Sequence, residues 1–248
     1  VKKVIKIVLP AYNEENAILP LIKDLKRILG ERFKAFEIIV VNDGSTDNTA
    51  NVVSTLNLPM VKLIQHDQNK GLNEAIKTGL IYSLINTDET DIIVVMDSDN
   101  THAPGLIHRM STLIEEGNDV IIASRYMSGS RVIGVTWKRR FLSWSGSCLF
   151  RLLFPYKGVR DYTSGYRAYR ASFLSKAFTL WGDGFINQPG FSCQVDILLK
   201  LRKIGAIISE VPLILRYDQK KGTSKMDVKS TIIDTLKLAA KRFICIYQ

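Results

Sequence analysis

Cysteine is scarce in this 248-residue chain: Cys148, Cys193 and Cys245 are odd in number, far apart, and without the spacing of a disulfide framework or a zinc site. Such usage fits a reducing compartment. Long apolar runs are also missing. None reaches the roughly 18 residues of a membrane span, and no charged leader followed by an apolar stretch opens the sequence. The chain is expected to be neither secreted nor membrane-spanning. No internal repeat, low-complexity tract or linker divides it, so one domain is expected. No recognition helix, zinc module or RNA-stacking motif is present, which argues against nucleic acid as a partner. Histidine is equally sparse, and His66, His102 and His108 read as turn or helix residues rather than general bases.

What is present suffices for a full core, with 46% hydrophobic and 23% charged residues. The net charge of +10 is unevenly spread: residues 1–120 hold 12 Lys and Arg against 17 Asp and Glu, a net of −5, whereas residues 121–248 hold 22 against 7, a net of +15. The second half is expected to face anions, whether phosphates, nucleic acid or an anionic membrane surface. Apolar runs of strand length at 4–10, 36–43, 60–65, 91–97 and 119–124 alternate with helix-period segments at 15–29, 46–56, 70–86 and 104–116. That alternation predicts an open, mostly parallel α/β sheet flanked by helices.

Ligands of such sheets bind beyond the carboxyl ends of the strands. Here the strands end on "PAYNEE", "NDGSTDNT", "DSDNTH" and "SRY", four endings that would meet on one edge. Two carboxylates one residue apart, Asp97 and Asp99, would repel each other and lose hydration unless a cation joins them. Hard oxygen ligands favour Mg²⁺ or Mn²⁺, with a diphosphate completing the shell. A helix cap from Asn100 or Thr101 would explain one of the two at most. Asp43 reads either as part of a turn or as an acceptor for N–H groups of a nucleotide base, while Asn13 could cap the first helix. Asp161 and Asp196 are the remaining carboxylate candidates.

Two further segments are amphipathic. Trp137, Phe141, Trp144, Cys148 and Leu152 fall at helical spacing beside Lys138, Arg139, Arg140 and Arg151. The segment 226–248 repeats the theme with Ile232, Leu236, Ala239 and Phe243 among Lys229, Lys237, Lys241 and Arg242. Each stripe could lie in a membrane interface or pack on the core or a neighbouring subunit.

Taken in order, "LPAYNEE", "VVNDGSTDNT", "NKGLNEAI", "MDSDNTHAP", "ASRY", "RDYTSGYRAYR" and "EVPL" followed by "GTSK" resemble the family-two glycosyltransferases of GT-A fold. The likeness is greatest to the dolichol-phosphate mannose synthase and polyprenyl-phosphate glycosyltransferase branch, and it covers about residues 4–230. It implies a GT-A domain over 1–225, divided into a nucleotide-binding half (1–125) and an acceptor-binding half (126–225), followed by a C-terminal amphipathic helix. It implies that Pro10, Ala11, Tyr12, Glu14 and Asp43 hold the donor's base and ribose, and that Asp97 and Asp99 bind Mg²⁺ or Mn²⁺ with the diphosphate. Arg125 and Arg139 match positions near an acceptor phosphate. Lys220 or Lys221 stands where relatives carry arginine, and Lys225 completes the "GTSK" match. Thr101 stands where some relatives supply a third metal ligand.

The implied reaction is an inverting transfer of one sugar from GDP-mannose or a UDP-hexose to polyprenyl or dolichyl phosphate, at the cytoplasmic face of a membrane. Asp161 is assigned either as a base for a hydroxyl acceptor or as a group orienting Arg167 and the acceptor phosphate. Transfer to a saccharide or protein hydroxyl, and a nucleotide-binding module without transfer activity, are the alternatives.

Overall fold

The computed structural model describes residues 3–220 and the isolated helical positions 237 and 240. Lys221, Lys225 and, those two positions apart, the expected helix over 226–248 lie outside the described residues.

The first half alternates strand and helix as its periodicity predicts: β1 (Ile5–Ala11), α1 (Ile18–Gly30), β2 (Phe36–Asn42), α2 (Thr49–Ser54), β3 (Val61–Gln65), α3 (Leu72–Ser83), β4 (Ile92–Val95), α4 (Leu106–Glu115) and β5 (Val120–Ser124). The second half adds β6 (Arg131–Ile133), α5 (Trp137–Leu153), β7 (Arg167–Arg170), α6 (Ala171–Trp181), α7 (Ser192–Lys203), β8 (Ile208–Pro212) and β9 (Ile214–Arg216). Seven strands form one sheet in the order β3-β2-β1-β4-β7-β5-β8, and β6 pairs with β9 in a separate parallel ribbon. Only β7 runs antiparallel within the large sheet.

Helices cover both faces, which is why the central strands read as continuous apolar runs rather than alternating ones. Ile5, Ile7 and Leu9 pack with Leu21 and Ile22 of α1 and Met110 of α4. Val8, on the opposite face of the same strand, packs with Ala75, Ile76 and Leu80 of α3. Gly79 permits that approach, because a Cβ there would come within 2.3 Å of Val8 Cγ1.

β7 is one of several second-half elements that periodicity does not announce. "RAYR" is short and carries a charge at each end, yet it lies between β4 and β5. Val95 and Ile122 both stand opposite Arg167. The fully buried Arg167 guanidinium donates to the carbonyls of Gln194 (2.7 Å) and Tyr162 (2.9 Å). Arg170 turns back to the end of α4, donating to the carbonyls of Ile114 and Asn118 and pairing with Asp119. Because β7 runs opposite to its neighbours, the loop before it reaches the same edge as the carboxyl ends of β1, β2, β4 and β5.

Candidate active site

At that edge the first two loops are laced together by side-chain to backbone bonds. Asn13 does not cap α1. It adopts a φ of 54°, and its Oδ1 accepts from the N–H groups of Thr46 (2.7 Å) and Asp47 (3.3 Å). The Glu14 N–H donates to Thr49 Oγ1 at 2.8 Å. Ser98 Oγ donates to the Pro10 carbonyl at 2.7 Å, and the Asp43 N–H to the Ala11 carbonyl at 2.8 Å, which fixes the end of β1 against the ends of β4 and β2. Pro10, Ala11, Tyr12 and Glu14 therefore stand on one rigid corner.

Asp43 is buried, and its carboxylate accepts the N–H groups of Lys70 and Gly71 (2.9 Å each) and His66 Nδ1 at 2.7 Å. His66 Nε2 meets the Thr78 hydroxyl at 3.0 Å. With three donors already on a carboxylate that offers about four acceptor positions, Asp43 retains about one for a base N–H. What it visibly does is hold the segment 66–71 over the corner. Gly44 (φ 64°) lets that segment close, since a Cβ would lie 2.3 Å from the Gln68 carbonyl carbon. Gly44→Ala is expected to cost about 2–4 kcal/mol of stability, read by urea unfolding, because the obstacle is backbone that cannot rotate away.

Asp97 and Asp99 follow β4 directly. The Asp97 N–H donates to His102 Nδ1 at 3.2 Å, so the other ring nitrogen carries its proton toward Asp97 Oδ2, 3.8 Å away. His102 stacks on Tyr166 with ring centroids 4.8 Å apart. The Asp97 side chain keeps 40% of its surface exposed, yet the protein around it pushes its pKa up; His102 opposes this and the charge of Asp99 adds to it. Burial would raise Asp99 as well. Lys220, at 2.5 Å from Oδ2, and the Thr101 hydroxyl, at 2.7 Å from Oδ1, outweigh it and hold the group below the usual carboxylate range. Thr101 thus supports Asp99 and does not present its hydroxyl as a third ligand. Neither Thr101 nor Asn100 caps α4, whose first turn has no side-chain cap.

Lys220 reaches Asp99 because β9 runs beside the loop after β4: Leu215 bridges His102, and the Arg216 N–H donates to the Thr101 carbonyl at 2.9 Å. Arg139 of α5 donates to the Tyr217 hydroxyl at 3.0 Å, and the cations of Arg139 and Lys220 lie 5.6 and 5.5 Å from the Tyr217 ring centre. Arg139 is therefore joined to the carboxylate pair through Tyr217 and Lys220.

On the other side of Asp97, Arg125 leaves the end of β5. Asp161, fully buried, accepts from Arg125 at three atoms: the backbone N (2.9 Å), Nε (2.8 Å) and Nη2 (2.7 Å). It also takes the N–H of Ser164 at 3.1 Å. Burial disfavours its charge, but Arg125 overrides this and its pKa falls. Two assignments for Asp161 are corrected here. Both oxygens are engaged and sealed from solvent, so it is not placed to act as a base; and the arginine it orients is Arg125, not Arg167. Glu210 of β8 supports the same loop, its Oε1 accepting the N–H groups of Arg160 and Asp161 at 2.7 Å each. Asp196 is spent on an i,i+4 pair with Lys200 at 2.5 Å.

Two hard carboxylates that already attract an ammonium suit a divalent ion such as Mg²⁺ or Mn²⁺. Among the described residues no group of three or more His, Cys, Asp and Glu side chains could hold a metal. Further ligands would come from a diphosphate and water. Lys220 would then be a competitor for the ion. Lys220→Ala is expected to tighten Mn²⁺ binding by the nucleotide-free protein about fivefold, the worth of a ~1 kcal/mol pair. Electron paramagnetic resonance of free Mn²⁺ measures this, and unchanged or weaker binding would speak against displacement.

Comparison with known proteins gives the family and the fold. The model of glycosyl transferase family 2 matches residues 6–178. The polyprenol monophosphomannose synthase of Mycolicibacterium smegmatis is 30% identical over 226 residues, covering 89% of this chain and 80% of that protein. The undecaprenyl-phosphate mannosyltransferase of Micrococcus luteus is 29% identical over 88% of this chain and 86% of its own. The dolichol-phosphate mannosyltransferase of Pyrococcus furiosus is 28% identical over 94% of this chain and 62% of its own. Among solved structures, glucosyl-3-phosphoglycerate synthase of Mycobacterium tuberculosis in complex with Mg²⁺ and UDP superposes with a TM-score of 0.67 at 19% identity, covering 96% of this chain and 79% of that one, which establishes the shared fold. With its mostly parallel sheet and its acidic pair at the carboxyl edge, the chain belongs to glycosyl transferase family 2.

Proposed function

We propose that this glycosyltransferase moves one sugar, with inversion, from GDP-mannose or a UDP-hexose to a polyprenyl or dolichyl phosphate at the cytoplasmic face of a membrane. The three relatives are named for mannosyl transfer to such lipids or for its product, which favours mannose. The observation that carries the reading is the placement of a cation-attracting carboxylate pair and a pinned guanidinium on either side of the loop before β7. Pro10, Ala11, Tyr12, Glu14 and Asp43 hold the donor's base and ribose, and Asp97 and Asp99 hold Mg²⁺ or Mn²⁺. A divalent ion there would neutralise charge developing on the departing diphosphate. Lys220, once released from Asp99, faces the same diphosphate, to which the family resemblance also assigns Lys221 and Lys225.

Arg125 makes no hydrogen bond through Nη1 among the described residues, which leaves that donor for the acceptor phosphate. Arg139 adds positive charge from α5. A phosphate monoester, with a second pKa of about 6, is already a nucleophile near neutral pH. No general base is then needed, in keeping with the sealed position of Asp161 and against a hydroxyl acceptor that would depend on it.

The exposed face of α5 supports the lipid reading. Trp137 (73%), Phe141 (62%), Trp144 (50%) and Leu152 (80%) project to solvent beside exposed Arg140 and Arg151, a pattern suited to the headgroup region of an anionic bilayer. No helix among the described residues is long and apolar enough to cross a membrane. The test is incubation with a panel of nucleotide sugars, Mg²⁺ or Mn²⁺ and a short polyprenyl phosphate, with the glycolipid identified by mass. A mannosyl or hexosyl phosphopolyprenol is the expected product; transfer only to a plain oligosaccharide would overturn the acceptor.

A further inference from the structure

Gln194 lies in the first turn of α7, and its backbone carbonyl is fixed by Arg167 from β7. Its side chain is buried at 2% exposure, and Oε1 has no hydrogen-bond partner among the described residues. A buried amide left without a partner weakens the fold unless something else returns the bond. The other end of the amide shows what that could be. A Cβ built on Gly165 would lie 3.4 Å from Gln194 Nε2 and 3.7 Å from Asp97 Oδ1, so the carboxamide and the carboxylate flank one methyl-sized gap.

The order of strands says what belongs beside that gap. Along the edge run the corner at β1 and β2, then Asp97 and Asp99 after β4, then the Gly165 loop entering β7, and then Arg125 after β5. A single displacement needs its reacting carbon between the leaving diphosphate and the attacking phosphate, roughly in line. The transferred sugar therefore lies across the Gly165 loop. Its hydroxyls both donate and accept, as does a carboxamide, which can turn either end toward them.

We propose that the Gln194 carboxamide, whose Nε2 borders the gap that Gly165 leaves beside Asp97, hydrogen-bonds a hydroxyl of the transferred sugar and so helps to select the hexose. This rests on the sugar-transfer reading above, but the test does not depend on catalysis. Gln194→Met keeps the length of the side chain and removes both polar atoms. Calorimetry with Mn²⁺ compares the nucleotide sugar, its singly deoxygenated sugar analogues and the bare nucleoside diphosphate.

The wild-type protein is expected to bind one deoxy analogue about tenfold more weakly than the parent sugar. In Gln194→Met the parent sugar weakens by the same factor, that deoxy penalty vanishes, and the bare diphosphate binds within twofold of wild type. The melting temperature is expected to hold or rise, because an unsatisfied buried oxygen has gone. An unchanged deoxy penalty, an equal loss for the bare diphosphate, or lower melting with discrimination intact would each overturn the assignment. Failure of the wild-type protein to make a glycolipid from any donor would instead count against the parent reading.

Discussion

Replacing Asp99 by Asn is expected to lower turnover about 10²–10³-fold or more, the cost typical of removing one electrostatic stabiliser from a transfer site. Asn fills the same volume and can still accept from the Thr101 N–H and hydroxyl, so the loop keeps its shape. What it lacks is charge. Lys220 and Thr101 hold the Asp99 carboxylate ionised, and this full negative charge is what a divalent ion would meet. Asp97→Asn is expected to fall within the same range, because both carboxylates would act on the one proposed ion. Asp99→Asn also leaves the Lys220 ammonium without its counter-charge, so the double variant Asp99→Asn/Lys220→Ala is the control for folding. Turnover in both single variants within threefold of wild type would remove the pair from the mechanism.

Asp161→Asn is expected to destabilise the protein by about 3–5 kcal/mol at neutral pH, the range for breaking a buried ion pair on one side. The carboxylate is fully buried and takes three bonds from Arg125, whose guanidinium would otherwise have only the unbonded charge of Asp97 near it. The pH dependence has a definite sign. The folded pKa of Asp161 lies below its unfolded value of about 3.9, so its stabilisation is complete above that value and disappears as pH falls through the depressed folded pKa. Urea unfolding of wild type and variant should therefore give curves separated at pH 7 that converge below pH 4. A gap independent of pH would mean that the bond network, not the charge, does the work. Freed from Asp161, Arg125 also loses its aim, so the KM for a phosphate acceptor should rise more than the KM for the donor.

Much of this was legible in the residues. Five apolar runs located the strands of the first half, and the polar clusters that end four of them marked the edge on which the candidate site sits, because a strand covered on both faces can place polar groups only where it leaves the sheet. The pair Asp97 and Asp99 stood out for the same reason. Less legible were contacts between distant parts of the chain. Nothing local indicates that Lys220 lies on Asp99, 121 positions away, since that contact depends on β9 running beside the loop after β4. His102 reads as a turn residue, and only its ring orientation toward Asp97 gives it a place in the site. In "FSCQVDILL" the charged Asp196 draws attention, yet Lys200 consumes it one helical turn later, while the neutral Gln194 lies at the gap beside Asp97. β7 escaped notice because two arginines bound a four-residue strand, and their burial is made tolerable by carbonyls contributed from α4, α7 and the loop before β7.

The most direct test of the account is diffraction from crystals grown with Mn²⁺ and a nucleoside diphosphate, using the anomalous signal of the metal. The account predicts one strong peak bonded to carboxylate oxygens of Asp97 and Asp99 and to the diphosphate, with the Lys220 ammonium moved off Asp99 onto a phosphate oxygen. A diphosphate bound elsewhere, or a metal seated away from this pair while Lys220 keeps its hold on Asp99, would contradict it.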